Sequence, residues 1–98
     1  MDIECKVKKE VLYVKLGGRL DSETAPELEQ KLKENLSGIK AVEFDMKKLE
    51  YISSAGLIVL LKVKQQTGDD GYVLIKNMND MVNSVMELTG FSALFIIK

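Results

Sequence analysis

Histidine is absent from this sequence of 98 residues, and cysteine occurs once, as Cys5. The first absence removes the side chain that most often serves as a general base or a metal ligand. A single cysteine excludes an intrachain disulfide and a zinc site built from several cysteines. We therefore expect no metal, no cofactor and no enzymatic activity, and the cysteine content fits a reduced compartment such as the cytoplasm.

The sequence also lacks an excess of either charge and lacks a long hydrophobic run. Fourteen basic and fifteen acidic residues leave a net charge of -1 at pH 7. Because nucleic-acid-binding domains usually carry a basic surface, we expect no nucleic-acid partner. The longest apolar run, residues 55–61, is far shorter than the ~20 residues that span a bilayer, and acidic residues follow Met1 where a signal peptide would be basic. The sequence predicts a cytoplasmic domain without a membrane partner.

The patterns that are present predict one α/β domain over residues 1–98. Alternating residues at 3–7 and a β-prone run at 11–16, ended by a glycine pair at 17–18, predict an N-terminal hairpin. Helices and strands then alternate as far as a final strand at 94–97. The order β-β-α-β-α-β-α-β predicts a mixed, mostly parallel central sheet with an N-terminal β-hairpin and crossover helices.

Several helix boundaries follow from local signals. Thr24 and Glu27 have the spacing of a capping box, which places the start of the first helix near them. Residues 47–50 are polar and are predicted to connect the third strand to the next segment. Asn79 or Asp80 can cap the third helix.

Residues 51–57, YISSAGL, lead into the second helix, which is predicted to run from Ala55 to about Thr67. This arrangement places Ser53 or Ser54 at the helix start, where backbone N–H groups are free and the helix dipole is positive. Such an end accepts an anion. A phosphate on Ser54 would therefore be compatible with the fold, while adding about two negative charges to the surface. The alternative is a serine that only caps the helix, which is the commoner situation.

The same residues, YISSAGL, resemble the signature of STAS domains, the anti-sigma factor antagonists of bacteria, in which similar residues surround a phosphorylated serine. Residues 18–21, GRLD, followed by Thr24 and Ala25, are similar to a loop that lies beside that serine in the family. Residues 42–45, VEFD, with Leu49, Tyr51 and Ile52, resemble the approach from a strand to the signature, and residues 88–91, LTGF, resemble the closing motif of the family. The matching segments cover nearly the whole chain in the family order.

The resemblance implies an anti-sigma factor antagonist that, when unphosphorylated, binds an anti-sigma factor of the serine-kinase ATPase class and frees a sigma factor. Ser54 aligns with the phosphoacceptor, so phosphorylation by that kinase would end binding and a serine phosphatase would restore it. Ser53 stands where the family has Asp, and it is the less expected acceptor. Asp21 aligns with an acidic residue near the site, although a turn or a helix start explains an Asp there equally well.

The residues expected to contact the partner lie in the loop after the second strand and at the start of the second helix: Asp21, Ser22, Thr24, Ser53, Ser54, Ala55, Gly56, Leu57 and Ile58. Ile58 is included because of helical phase. If Val59 and Val63 face the sheet, Ile58 points to the opposite side. Ile58 would then belong to the docking patch or would be an ordinary exposed apolar residue.

Two other functions stay open. One is a STAS scaffold in another signalling complex that has lost its phospho-switch, which the serine at position 53 supports. Partner binding that ignores both Ser54→Asp and Ser54→Ala would favour it. The other is a small nucleotide-binding domain that uses the helix start as an anion site. No glycine-rich phosphate loop supports the nucleotide function, and binding of ATP or GTP by the isolated domain would favour it.

Overall fold

A computed structural model describes residues 1–98, and its helices and strands follow one another in the predicted order. The elements are β1 (Asp2–Lys8), β2 (Val11–Leu20), α1 (Ala25–Asn35), β3 (Ala41–Ile52), α2 (Ser54–Thr67), β4 (Tyr72–Lys76), α3 (Asp80–Leu88), a short 3₁₀ helix (Phe91–Leu94) and β5 (Ile96–Ile97). The strands form one sheet in the order β1-β2-β3-β4-β5. The β1–β2 pair is antiparallel and the other three pairs are parallel, so the predicted mixed sheet is confirmed.

The helices cover one face of the sheet. Successive parallel strands lie side by side, and right-handed crossovers between them place all the connecting helices on the same side. Alternation in β2 matches this arrangement, because Leu12 and Val14 are buried in the core whereas Tyr13 and Lys15 are exposed on the opposite face. The buried side chains of all three helices belong to the same core cluster.

Two predicted strand ends are wrong. Gly17 does not end β2, which continues to Leu20, and residues 47–50 are part of β3 instead of a connector. Pairing between the two strands continues through two register shifts, at each of which β3 has one more residue than β2. Within this extension the Leu49 side chain is 1% exposed and packs into the core, although the residues around it are polar. Tertiary pairing therefore overrides the local polar and glycine signals.

The last predicted strand is shorter than expected. Residues 91–94 form a 3₁₀ helix after Gly90, which has a φ of 80°, and only Ile96 and Ile97 pair with β4. Phe95, which lies between the 3₁₀ helix and β5, is 8% exposed and packs into the core. The predicted cap of α3 is confirmed, since Asn79 accepts a hydrogen bond from the Val82 N–H at 2.8 Å.

The fold brings two helix starts to one edge of the sheet. Because β2 and β3 are parallel neighbours, both strands end at the same edge, and α1 and α2 begin there. Loops at the carboxyl ends of parallel strands are the usual location of binding sites in α/β sheets. No helix of the structure has the length and hydrophobicity needed to cross a bilayer.

Candidate functional site

The start of α2 is joined to the end of β2 by the backbone. Leu20 and Ile52 are register partners at the ends of β2 and β3. One residue further on, the Ser53 N–H donates to the Leu20 carbonyl oxygen at 2.9 Å. The loop after β2 and the residues YISSAGL therefore lie side by side, as the resemblance implied.

Ser53 and Ser54 have different environments at the start of α2. Ser53 is the N-cap residue, with an extended backbone (φ -108°, ψ 177°), but its side chain makes no capping hydrogen bond. Its Oγ is buried and has no hydrogen-bond partner. Ser54 is the first helical residue, and it is exposed. Of the two adjacent hydroxyl-bearing residues, Ser54 is thus the one that faces solvent.

The first turn of α2 leaves backbone donors free. The first bond of the helix runs from the Leu57 N–H to the Ser53 carbonyl oxygen at 3.1 Å. The N–H groups of Ser54, Ala55 and Gly56 precede it and have no acceptor within the helix. With no side chain capping them, these groups and the positive end of the helix dipole favour an anion at this position.

The loop before α1 is held by its own side chains. The Asp21 carboxylate accepts hydrogen bonds from the N–H groups of Glu23 at 3.0 Å and Thr24 at 3.2 Å. The Thr24 hydroxyl donates to the Arg19 carbonyl oxygen at 2.7 Å and accepts from the Asp21 N–H at 2.9 Å. The hydrogen bond from the Glu23 N–H is the main reason why the pKa of Asp21 is lowered. The Thr24 N–H, the Thr24 hydroxyl at 3.4 Å from the carboxylate, and the Arg19 charge lower it further.

The predicted capping box at the start of α1 is wrong. Thr24 is the N-cap residue in position, but it has a helical backbone and makes no side-chain capping bond to the helix. Its hydroxyl is occupied by Arg19 and Asp21 instead. Asp21 has the helix-start role that the sequence left open, since its carboxylate bonds N–H groups two and three residues ahead and its carbonyl accepts from the Ala25 N–H at 2.8 Å.

Arg19, near the end of β2, contacts both Tyr51 of β3 and Asp21 of the loop before α1, and the sequence analysis gave it no role. Its guanidinium lies 4.2 Å from the centroid of the Tyr51 ring, and its Nε is 3.8 Å from a carboxylate oxygen of Asp21. Arg19 and Tyr51 are register partners in β2 and β3. The Arg19 side chain is 62% exposed, so solvent and salt weaken both contacts. The GRLD segment contains this arginine, but its contact with Tyr51 depends on a strand register that only the structure shows.

Gly56 and Leu57, which the sequence analysis placed on the docking surface, are buried. A Cβ on Gly56 would lie 2.6 Å from Leu20 Cγ and 3.0 Å from Ile52 Cγ1. Glycine thus lets the first turn of α2 pack directly on the ends of β2 and β3. Leu57 is 3% exposed and belongs to the core, so neither residue offers a side chain to a partner, and we correct the surface accordingly.

Ser53 also leaves the predicted surface, because its hydroxyl is buried. The rest of the predicted surface remains accessible. Ile58 is 50% exposed, whereas Val59 and Val63 are buried, so the helical phase inferred from the sequence is confirmed. Ser54 and Ile58 are one turn apart and share a face of α2. We define the Ser54 face as the accessible residues at this edge: Asp21, Ser22, Thr24, Ser54, Ala55 and Ile58, of which Asp21, Thr24 and Ala55 are half-buried.

Comparison with known families places the chain in one of them. The STAS domain family model matches residues 2–98. Together with the five-stranded sheet and its helices, this match shows that the chain belongs to the STAS domain family.

Two curated relatives are similar along most of the chain. One is BtrV of Bordetella bronchiseptica, a proposed anti-sigma factor antagonist, which is 36% identical over 87 residues, covering 87% of this chain and 75% of BtrV. The other is the anti-sigma-B factor antagonist of Staphylococcus aureus strain NCTC 8325. It is 30% identical over 102 residues, covering 100% of this chain and 93% of that protein.

Solved structures share the fold. The anti-sigma factor antagonist SpoIIAA in its unphosphorylated form superimposes with a TM-score of 0.85 at 16% identity, covering 99% of this chain and 88% of that one. The phosphorylated form of the Bacillus protein SpoIIAA gives a TM-score of 0.76 at 15% identity, covering 99% and 91%. The family and fold that the resemblance implied are thereby confirmed.

Proposed function

We propose that this chain is an anti-sigma factor antagonist whose binding is controlled by phosphorylation of Ser54. In the unphosphorylated state it binds an anti-sigma factor of the serine-kinase ATPase class and thereby frees a sigma factor. Phosphorylation of Ser54 by that kinase ends the complex, and a serine phosphatase restores it. The domain is a ligand and a substrate in this cycle, and it catalyses no reaction itself.

The relatives support the general role. The Staphylococcus aureus protein is named an anti-sigma-B factor antagonist and aligns with the whole of this chain. SpoIIAA, which has the same fold, is described both as an anti-sigma factor antagonist and in a phosphorylated form. These descriptions concern those proteins, and we extend them to this chain because it belongs to the same family.

The observation that carries the proposal for Ser54 is the contrast between the two adjacent serines. The Ser53 Oγ is buried, whereas Ser54 is exposed on the first turn of α2. A kinase must bring the acceptor hydroxyl into its own active site. The Ser53 hydroxyl does not meet that requirement, because it is buried. Ser54 is therefore the acceptor that we propose.

The surroundings of Ser54 support a switch that leaves the fold intact. A phosphate at the first helical position lies beside free N–H groups and the positive end of the helix dipole, which stabilise negative charge there. The same phosphate adds charge and bulk to the Ser54 face, one turn from the exposed Ile58. Charge and bulk within a contact surface weaken docking through repulsion and desolvation.

One observation favours a second candidate, a STAS scaffold without a switch. Ser53 stands where the family signature has Asp, and its hydroxyl is turned inward without a hydrogen-bond partner. The acidic group that precedes the acceptor in the family is therefore missing here. In the scaffold alternative the same face binds a partner, but substitutions at Ser54 do not alter the affinity.

A binding measurement distinguishes the two candidates. The anti-sigma kinase recovered from the native cell on immobilised wild-type chain is titrated with wild type, Ser54→Asp and Ser54→Ala in a calorimeter. We expect Ser54→Asp to weaken binding at least about tenfold, or about 1.4 kcal/mol, because the negative charge lies in the contact surface. Ser54→Ala removes only a hydroxyl group and should bind within about twofold of wild type.

Ser84→Asp is the matched control, since Ser84 is an exposed helical serine on α3. It introduces the same charge on a different helix, at a residue outside the Ser54 face as defined, and should leave the affinity unchanged. Each variant should also keep its thermal midpoint within a few degrees of wild type. Equal affinities of Ser54→Asp and wild type would contradict the switch and leave the scaffold.

A further inference from the structure

β1 is an edge strand with one free side. It pairs with β2 and lies at the end of the sheet order, so its other side has no neighbour. At seven residues it is long for an exposed edge, which natural proteins usually keep short or cover. Val7 near its end is 49% exposed. The free edge is therefore available for pairing with another strand.

The hairpin turn determines which backbone groups face that edge. Lys8 and Val11 are the register partners that flank the two turn residues Lys9 and Glu10. In a two-residue hairpin this closing pair is hydrogen-bonded, and the bonded pairs then alternate along the strand. Even-numbered residues of β1 therefore bond to β2. The backbone N–H and carbonyl groups of Ile3, Cys5 and Val7 point to the free edge.

The charges of β1 are divided between its two halves. Asp2 and Glu4 precede Cys5, and Lys6 and Lys8 follow it, all exposed on the same face of the strand. If a second copy pairs antiparallel about Cys5, Glu4 lies opposite Lys6 of the second copy and Asp2 lies opposite its Lys8. Cross-strand pairs of opposite charge are favourable, whereas a parallel in-register pairing would place like charges together.

The same register satisfies the backbone. In an antiparallel pairing centred on Cys5, Cys5 lies opposite Cys5 of the second copy and Ile3 lies opposite its Val7. These are the residues whose backbone groups face the free edge, so each pair can exchange both of its hydrogen bonds. In a register shifted by one residue, backbone groups that point to the free edge would lie opposite groups that already bond to β2. The hydrogen bonds between the two copies could then not form in pairs.

The neighbouring helix adds to this complementarity. α1 packs against β1. Burial raises the pKa of the Cys5 thiol, and the charges of Lys31 and Glu34 on α1 act on it in opposite directions. A two-fold axis at Cys5 places the α1 helices of the two copies beside each other and antiparallel. Lys31 and Glu34 carry opposite charges, so this pair brings no net charge of one sign to the neighbourhood of Cys5.

We propose that two copies of this chain associate through antiparallel pairing of their β1 strands, forming one continuous sheet with a two-fold axis at Cys5. The Ser54 face lies beyond the carboxyl ends of β2 and β3 and not along the free side of β1, so it stays accessible in both copies. The dimer would thus present two partner sites. The proposal does not depend on the function proposed above.

Sedimentation equilibrium of the full chain at high micromolar concentration tests the association. Wild type is expected to approach twice its 11.0 kDa mass and to dissociate as salt is raised, because screening weakens the cross-strand charge pairs. The Val7→Pro variant removes an N–H that faces the free edge and spares the bonds to β2. It should be monomeric and folded by circular dichroism. A monomeric wild type at every concentration would overturn the proposal.

Charge exchange tests the register independently of proline. Lys6→Glu with Lys8→Glu makes β1 wholly acidic, and Asp2→Lys with Glu4→Lys makes it wholly basic. Each double variant alone should be monomeric, because like charges face each other, and an equal mixture of the two should form the mixed dimer. Persistence of dimers in both double variants, or no association in their mixture, would overturn β1 pairing even if wild type is dimeric.

Discussion

The two helix starts at the carboxyl edge of β2 and β3 are built in different ways. Before α1, the side chains of Asp21 and Thr24 bond the backbone of the loop at four points between 2.7 and 3.2 Å. Before α2, no side chain caps the helix, and the Ser53 hydroxyl is buried without a partner. Side-chain hydrogen bonds thus fix the loop before α1, whereas the start of α2 has free N–H groups beside an exposed serine.

Burial replaces capping at the second start. α2 buries Gly56, Leu57, Val59, Leu60 and Val63 on the sheet, and tertiary packing of this kind supplies most of the stability of helices in proteins. The helix therefore does not depend on its N-terminal donors being satisfied. We therefore expect a group added at Ser54 to leave the domain folded, as the proposed switch requires.

The largest effect is expected where α2 packs on the strands. Gly56→Ala adds a Cβ 2.6 Å from Leu20 Cγ, and Leu20 is fully buried, so it cannot move aside. Overpacking costs about 3 kcal/mol at such a site and the better helix propensity of alanine returns about 1, which leaves a net loss of about 2 kcal/mol. Urea unfolding measures the loss, and Ser84→Ala on α3 is the control. A variant as stable as wild type would show that burial does not hold α2 in this way.

Thr24→Val tests the support before α1. The substitution keeps the shape and removes the hydroxyl that donates to Arg19 and accepts from Asp21. Loss of these hydrogen bonds should lower the free energy of unfolding by about 1 kcal/mol. An unchanged urea midpoint would mean that the side-chain hydrogen bonds of Thr24 do not stabilise the start of α1, and the proposed difference between the two helix starts would be wrong.

Ser53→Ala is the matching substitution before α2. We expect it not to lower the free energy of unfolding, in contrast to Thr24→Val. The hydroxyl is buried with no hydrogen-bond partner, so its removal relieves a desolvation cost. Stability should stay equal or rise by about 0.5 kcal/mol, measured in the same urea series. A loss as large as that of Thr24→Val would indicate that the Ser53 hydroxyl does cap α2 and would remove the contrast.

The smallest effect is a pH dependence at Asp21. Because the pKa of Asp21 is lowered in the folded chain, its carboxylate stabilises the fold above the ordinary value of 3.8, and this contribution disappears as pH falls through the folded pKa. Asp21→Asn has no carboxylate to protonate. The difference in thermal midpoint between wild type and Asp21→Asn should therefore be constant near neutral pH and shrink below about pH 4. A difference that does not change with acid would contradict the role of the Asp21 charge.

Local patterns were sufficient for part of the fold. The order of elements, the Asn79 cap and the outward direction of Ile58 follow from short-range periodicity and side-chain chemistry, and the structure confirms them. The continuation of β2 through Gly17 and of β3 through residues 47–50 was not predictable in this way. It depends on pairing between strands that are distant in sequence, with bulges that absorb the unequal lengths.

The candidate site shows the same division. The segment YISSAGL identified the position, but the sequence did not decide which serine is exposed, since either serine could be the residue that precedes the helix. In the structure α2 begins at Ser54, Gly56 packs against Leu20 and Ile52, and the hydroxyl of the extended N-cap residue Ser53 is buried. Such a contact is a tertiary property, which is also why Gly56 and Leu57 were misplaced on the surface.

Phosphopeptide mass spectrometry of the chain tests the central claim most directly. The protein is purified from its native cells with phosphatase inhibitors, in growing and in stressed cultures, and the peptide that contains residues 51–58 is fragmented between the two serines. Our account predicts a phosphate on Ser54 in at least one condition and none on Ser53. Phosphate on Ser53, or a chain that is unmodified in every condition, would contradict it.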